Sequence, residues 1–289
     1  MADLRLGIAL WSQASDWPGF LAAAQRAERL GYDHVWTWDH LLAIFGDPDQ
    51  QIFEGYTALA AVAQATERIR LGLFVGANTF RNPALAVKCL TTIDHISAGR
   101  AVMGIGGAWF EGEHRAFGLD FGSGFGQRLD WLGEAAAATR SLLDGEEVTS
   151  PAGGRYAFDH LRVLPRPVQR HLPMMIGGSG ERKTLRIVAE YADIWNISGP
   201  PHTDFDVLTD RVRRLDAECL RIGRDPVTLS RSLQQIVSYD DPASTRAIVQ
   251  RAVGLGFDHI VLSLPRPYPD RAVEWLVDEI IEPVEDAAA

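Results

Sequence analysis

Cysteine is scarce in this chain. Cys89 and Cys219 are the only two in 289 residues, far apart and each inside a helical pattern. That argues against a disulfide framework and for a reducing compartment, the cytoplasm. No apolar run reaches the ~18 residues that crossing a bilayer requires, so no membrane partner is expected. The opening MADLRLGIALW lacks a basic leader and a cleavage site and reads directly into a strand, unlike a signal peptide. Positive charge is also short: 28 Lys and Arg stand against 38 Asp and Glu, a net charge of −10. A phosphate backbone needs a basic surface, so a nucleic-acid partner is not expected. The 8 histidines show no metal-ligand spacing, and no metal is expected.

What the chain does have is an alternation of short apolar runs and amphipathic segments. Strand-like runs fall at 4–11, 34–39, 69–77, 101–108, 173–179, 193–198, 227–238 and 259–265. Helical patterns follow them, several opened by proline and closed by glycine. No linker or composition shift divides the chain, so 1–289 reads as a single domain. Strands alternating with helices imply a parallel sheet. Eight such units in one domain predict an α/β fold, a (β/α)8 TIM barrel. The competing doubly wound sheet carries its nucleotide fingerprint after the first strand, and IALWSQASDWPG contains none. After the fourth unit the pattern breaks. Residues at about 145–172, rich in Gly, Pro and β-formers, read as an inserted, hairpin-like excursion.

Barrel active sites lie at the carboxyl ends of the strands. Here those ends supply Ser12 and Gln13, Asp39 and His40, Gly76 to Asn78, the run GIGGAWFE, the run GGSG, Asn196, Gln234 or Gln235, and Ser263 with Arg266. GGSGERKTL runs from a strand into a helix, so its amides and the helix dipole form an anion site, with a phosphate as the obvious guest. GIGGAW would make a flat backbone floor for a planar ring. His40 suits proton transfer, because its unperturbed pKa lies near working pH.

These stretches resemble the luciferase-like monooxygenase superfamily. VWTWDH, LGLFVGANTFRNPALAVKCLTTIDHISAGRAVMGIGGAWFEGEHRAFGLDF and PMMIGGSGERKTLRIVAEYADIWN carry the resemblance, which covers nearly the whole chain. Within that superfamily the chain looks most like the branch using the deazaflavin coenzyme F420. The resemblance implies a barrel with an inserted segment, a homodimer and a small-molecule substrate. It implies catalytic roles for Asp39 and His40, with the acid near the ring and the histidine near the substrate. It implies cofactor contacts at Asp39, at Val75, Gly76, Ala77 and Asn78 near a non-proline cis peptide, and at Gly106, Gly107 and Ala108. It extends them to Gly177, Gly178, Ser179, Gly180 and Lys183, and to Asn196. Some members place an acid directly after the strand-four turn. This chain has Trp109 there, with Glu111 and Glu113 further on, which argues against the same substrate and proton donor.

The leading expectation is hydride transfer between F420 and a small organic molecule. An FMN-dependent monooxygenase is the alternative, and a non-catalytic flavin-binding protein is the second. Asp39 is expected to hydrogen-bond the ring or to orient the His40 imidazole.

Overall fold

The computed structural model describes residues 4–265 and 271–284. Arg266, read above as a strand-eight end, lies outside them. The strands are β1 (Arg5–Leu10), β2 (His34–Thr37), β3 (Arg70–Leu73), β4 (Gly76–Ala77), β5 (Ala101–Gly106), β6 (Met174–Gly177), β7 (Ile194–Ser198), β8 (Ser230–Ile236) and β9 (His259–Leu264). Every pairing among them is parallel, β1 pairs with both β2 and β9, and β3 and β4 both pair with β5. The sheet therefore closes into an eight-stave barrel in which β3 and β4 are two halves of one stave. The sequence reads that stave as one strand over 69–77. It is instead interrupted at the Phe74–Val75 peptide bond, which is cis.

Parallel strands covered on both faces read as near-continuous apolar runs, which is why they stand out in this sequence. Successive side chains alternate between two cores. Ile8 and Leu10 face outward into a large cluster shared with the helices. Ala9 faces inward with Trp36, Phe74, Val102, Met175, Ile194 and Val261, filling the barrel. The outer helices are α1 (Trp17–Arg29), α2 (Gly55–Ala65), α3 (Pro83–Ile96), α4 (Glu111–Phe117), α5 (Phe125–Leu143), α6 (Lys183–Tyr191), α7 (Phe205–Arg221), α8 (Pro242–Gly254) and α9 (Ala272–Leu276). Proline opens α1, α3 and α8, where its missing N–H costs nothing. In each the preceding Asp16, Asn82 or Asp241 caps a free amide.

The excursion at 145–172 forms one antiparallel bridge, Val148↔Leu161, rather than a hairpin ladder. It is tied down all the same. Tyr156, Phe158 and Val163 are buried, and the Tyr156 hydroxyl donates to the Asn78 carbonyl at 2.9 Å. Among the described residues no helix is long and apolar enough to cross a membrane.

Candidate active site

The floor of the carboxyl-terminal mouth is built around Val75. Where the third stave breaks, the Val75 side chain meets the glycines of the neighbouring staves. A methyl carbon added at Gly106 would lie 2.7 Å from Val75 Cγ2, and one at Gly177 would lie 3.0 Å from it. One at Gly104 would lie 1.9 Å from the Leu73 carbonyl oxygen. These glycines make room first for an irregular stave. Register then aligns Ala77, Gly106, Gly177 and Asn196 side by side across four staves. The result is a platform of backbone with little side chain above it. Gly107 and Ala108 continue it, half-buried, with Ala108 at φ 55°.

Asp39 lies under this platform, 3% exposed. Arg81 Nη1 and Nη2 donate to its two oxygens at 2.8 and 2.9 Å, and the Ala77 amide donates to Oδ2 at 2.9 Å. Burial holds the Asp39 carboxyl above its ordinary value, against the downward pull of the Arg81 guanidinium and the Ala77 amide. Three N–H groups nonetheless converge on it, and a carboxylate is the form that accepts all three. Arg81 also donates to Glu54, and lies 4.8 Å from the centre of the Tyr56 ring. Arg81 is thus committed to holding the stave end. Asn78 belongs to the same scaffold. Its amide nitrogen lies 2.8 Å from the Gly106 carbonyl oxygen once the amide is oriented to donate.

The expectation that Asp39 orients His40 is corrected by the structure. His40 Nδ1 lies 2.9 Å from Glu113 Oε1, and Glu113 Oε2 accepts from the Leu41 amide at 2.8 Å. Glu113 is 1% exposed, on the inner face of the short helix α4. A carboxylate already accepting an amide takes the proton side of the imidazole, so Nδ1–H donates and Nε2 carries the free lone pair. The His40 side chain is 15% exposed. The sequence signal for Glu113 is its place, an acid on the face of a helix turned toward the strand-four end. Against the family pattern it stands out only as a departure.

The GGSG loop runs from β6 to the head of α6. Gly178 has φ 137° and its amide donates to the Asn196 carbonyl. Ser179 is exposed, and the Thr184 hydroxyl is buried behind the loop with no hydrogen-bond partner. Lys183 turns away: Nζ donates to Asp130 and to the Gly126 carbonyl. Arg182 is exposed at the start of α6. Asn196 is buried, its amide nitrogen donating to Ser232 Oγ at 3.0 Å.

A second concavity, of about 710 Å³, opens at the opposite end of the barrel beside Arg5, Asp33, Arg70, Asp193 and Asp258. Stacked rings of His34 and His259, 3.9 Å between centres, stand at that end. It is remote from every strand end described above. Among the described residues, no cluster of His, Cys, Asp or Glu is arranged to hold a metal ion.

Comparison with known proteins agrees with this architecture. A family model described as luciferase-like monooxygenase matches residues 5–274. A 5,10-methylenetetrahydromethanopterin reductase of Methanolobus tindarius is 29% identical over 231 residues, covering 80% of this chain and 64% of the relative. An F420-dependent hydroxymycolic acid dehydrogenase of Mycobacterium tuberculosis is 28% identical over 248 residues, covering 85% and 66%. Among solved structures, an F420-dependent secondary alcohol dehydrogenase in complex with an F420-acetone adduct superposes with a TM-score of 0.84. The identity is 17%, and the match covers 96% of this chain and 98% of that one.

Proposed function

Because the chain belongs to the luciferase-like monooxygenase family and is an oxidoreductase, we propose that it moves a hydride between coenzyme F420 and a small organic substrate. The observation that carries this reading is the His40–Glu113 pair standing beside a side-chain-poor backbone platform. The F420-dependent relatives support the choice of cofactor.

The residues fit such a group. Val75, Ala77, Gly106, Gly107 and Ala108 would lie under its ring system. Gly177, Gly178, Ser179, Gly180, Arg182 and the head of α6 would hold its phosphate, with the unpartnered Thr184 hydroxyl behind the loop. Lys183 would have to leave Asp130 to take part. When bound, F420 supplies a carbon that accepts or delivers a hydride and reacts poorly with oxygen.

The chain's own residues supply the rest. With an alcohol substrate, His40 Nε2 takes the hydroxyl proton as the carbon gives up hydride. With an unsaturated substrate, the same nitrogen returns a proton to the far end of the reduced bond. Glu113 fixes the imidazole tautomer and its orientation. Asp39 carries no proton in this scheme. It holds the Ala77 amide through its pair with Arg81, so that the platform keeps its shape. A homodimer in the cytoplasm completes the proposal, and its two thiols, unpaired with each other, suit that compartment.

The alternative, an FMN-dependent monooxygenase, is favoured only by the monooxygenase name of a different relative, a pyrimidine monooxygenase of Allorhizobium ampelinum, 29% identical over 208 residues. Titration of cofactor-free protein with F420 and with FMN, followed by tryptophan fluorescence, separates the two. Saturation by micromolar F420 with far weaker FMN binding is expected. Preference for FMN would move the chemistry to oxygen activation, and binding of neither would sink the cofactor assignment.

A further inference from the structure

Across the mouth from β6 and β7 stands a continuous aromatic wall. Trp11 and Trp38 have ring centres 4.6 Å apart, and Phe45 stacks on Trp11 at 5.4 Å and 25°. Trp38 meets His40 edge-on, and His40 meets Trp109 edge-on at 5.6 Å. Phe110 follows, 5.5 Å from Trp109. Two of these rings resist burial: Trp109 is 60% exposed and Phe45 is 44% exposed. Single exposed apolar residues are ordinary, but exposed aromatics gathered in one run of ring contacts beside a polar pair mark a ligand surface.

The wall is held in place. Gln13 is 3% exposed and spends its amide on the loop that carries Phe45. Its Nε2 donates to the Phe45 carbonyl and to Gln50, and its Oε1 accepts from the Ile44 amide at 2.8 Å. A bridge between Gln13 and Ile52 closes the same loop. At the other end, Trp11 Nε1 donates to Ser263 Oγ at 2.8 Å. Rings fixed in advance lose little freedom when a flat partner stacks on them.

We infer that the substrate is a flat, unsaturated or aromatic molecule of low polarity, and that Trp109 is a residue that selects it. This rests on the hydride-transfer reading of the same mouth. The polar handle the wall offers such a molecule is His40, beside Trp109, where a carbonyl or hydroxyl oxygen at the ring edge would meet Nε2. Trp109 follows Ala108 directly at the end of the platform and meets the His40 ring edge-on, so a ring stacked on it lies beside both.

The test uses calorimetric binding of two neutral α,β-unsaturated carbonyl compounds of equal carbon count, the lactone coumarin and the ketone 3-nonen-2-one, to protein with and without F420. The wild type is expected to bind coumarin more tightly than the open-chain enone. Trp109→Ala is expected to weaken coumarin about tenfold while leaving 3-nonen-2-one and F420 within about twofold. Trp109→Phe should restore most of the loss. Because Trp109 is exposed, the variants leave the core intact. Equal affinity for the two compounds, or no coumarin binding by the wild type, would overturn the inference. So would a matching loss of F420 affinity in Trp109→Ala, which would assign the wall to the cofactor. Should F420 fail to bind, the functional reading falls by itself, and the cofactor-free measurements still decide the wall.

Discussion

The two ends of the barrel each carry a pair centred on histidine, and the pairs behave in opposite ways. At the carboxyl-terminal mouth, His40 is partly open and leans on a buried carboxylate, Glu113. At the amino-terminal end, His34 stacks on His259 and accepts from Trp36 Nε1 at 2.7 Å, while His259 meets Ser232 at 2.9 Å. Burial, with Arg5 and Arg70 nearby, pulls His34 down to about 3 and holds His259 well below its ordinary value. Both are neutral structural rings. The same side chain is partly open and paired with a carboxylate at one end, and is buried packing beside another imidazole and arginines at the other. Position along a stave alone separates the two.

The widest separation is expected from His40→Ala. Turnover should fall ~10²–10⁴-fold, with F420 affinity little changed, as read by steady-state rates and fluorescence titration. Undiminished turnover would remove His40 from the chemistry and favour a protein that only binds its cofactor. The other end is probed by pH. His34 and His259 have folded pKa values below their unfolded ones, so the unfolded chain binds more protons as pH falls below ~6.5. The His34 contribution is intact above that point and is lost toward about 3, and the His259 contribution is lost in the same direction. The slope is up to ~1.4 kcal/mol per pH unit for each ring. Urea unfolding at about pH 7.5 and about pH 5 should show it, and His34→Gln should flatten it. An unchanged stability across that range would mean that these rings are charged in the fold. The smallest effect is expected from Glu113→Gln, which keeps the shape at the mouth and removes the charge. A loss of about tenfold in turnover, ~1.4 kcal/mol, is expected with F420 affinity unchanged. Undiminished turnover would reduce Glu113 to a support for the Leu41 amide.

Much of the mouth is legible in the sequence. Asp39, His40, the glycines after strands four and five, and Asn196 stand at strand ends because parallel staves deliver their carboxyl ends to one face. Their partners are not legible there. Asp39 meets Arg81 across 42 residues of sequence, and His40 meets Glu113 across 73. Nothing local distinguishes Arg81 from any basic residue ahead of a proline-opened helix. Lys183 shows the converse. Its sequence context at the head of α6 suggests a ligand contact, and the fold turns it to Asp130.

By itself, the sequence determined the alternation of staves and helices, the caps that start the helices, and the face on which chemistry would gather. Those follow from periodicity, burial on both sides of parallel strands, and local hydrogen bonding, all of which act over a few residues. The tertiary structure decided which charges pair and why the mouth glycines must be glycine. It also decided which histidine keeps an open nitrogen. Barrel closure brings distant staves within hydrogen-bond reach, and the break at Phe74–Val75 pushes a side chain into its neighbours. Contacts of that kind depend on the packed geometry of the whole ring, which no local stretch of residues encodes.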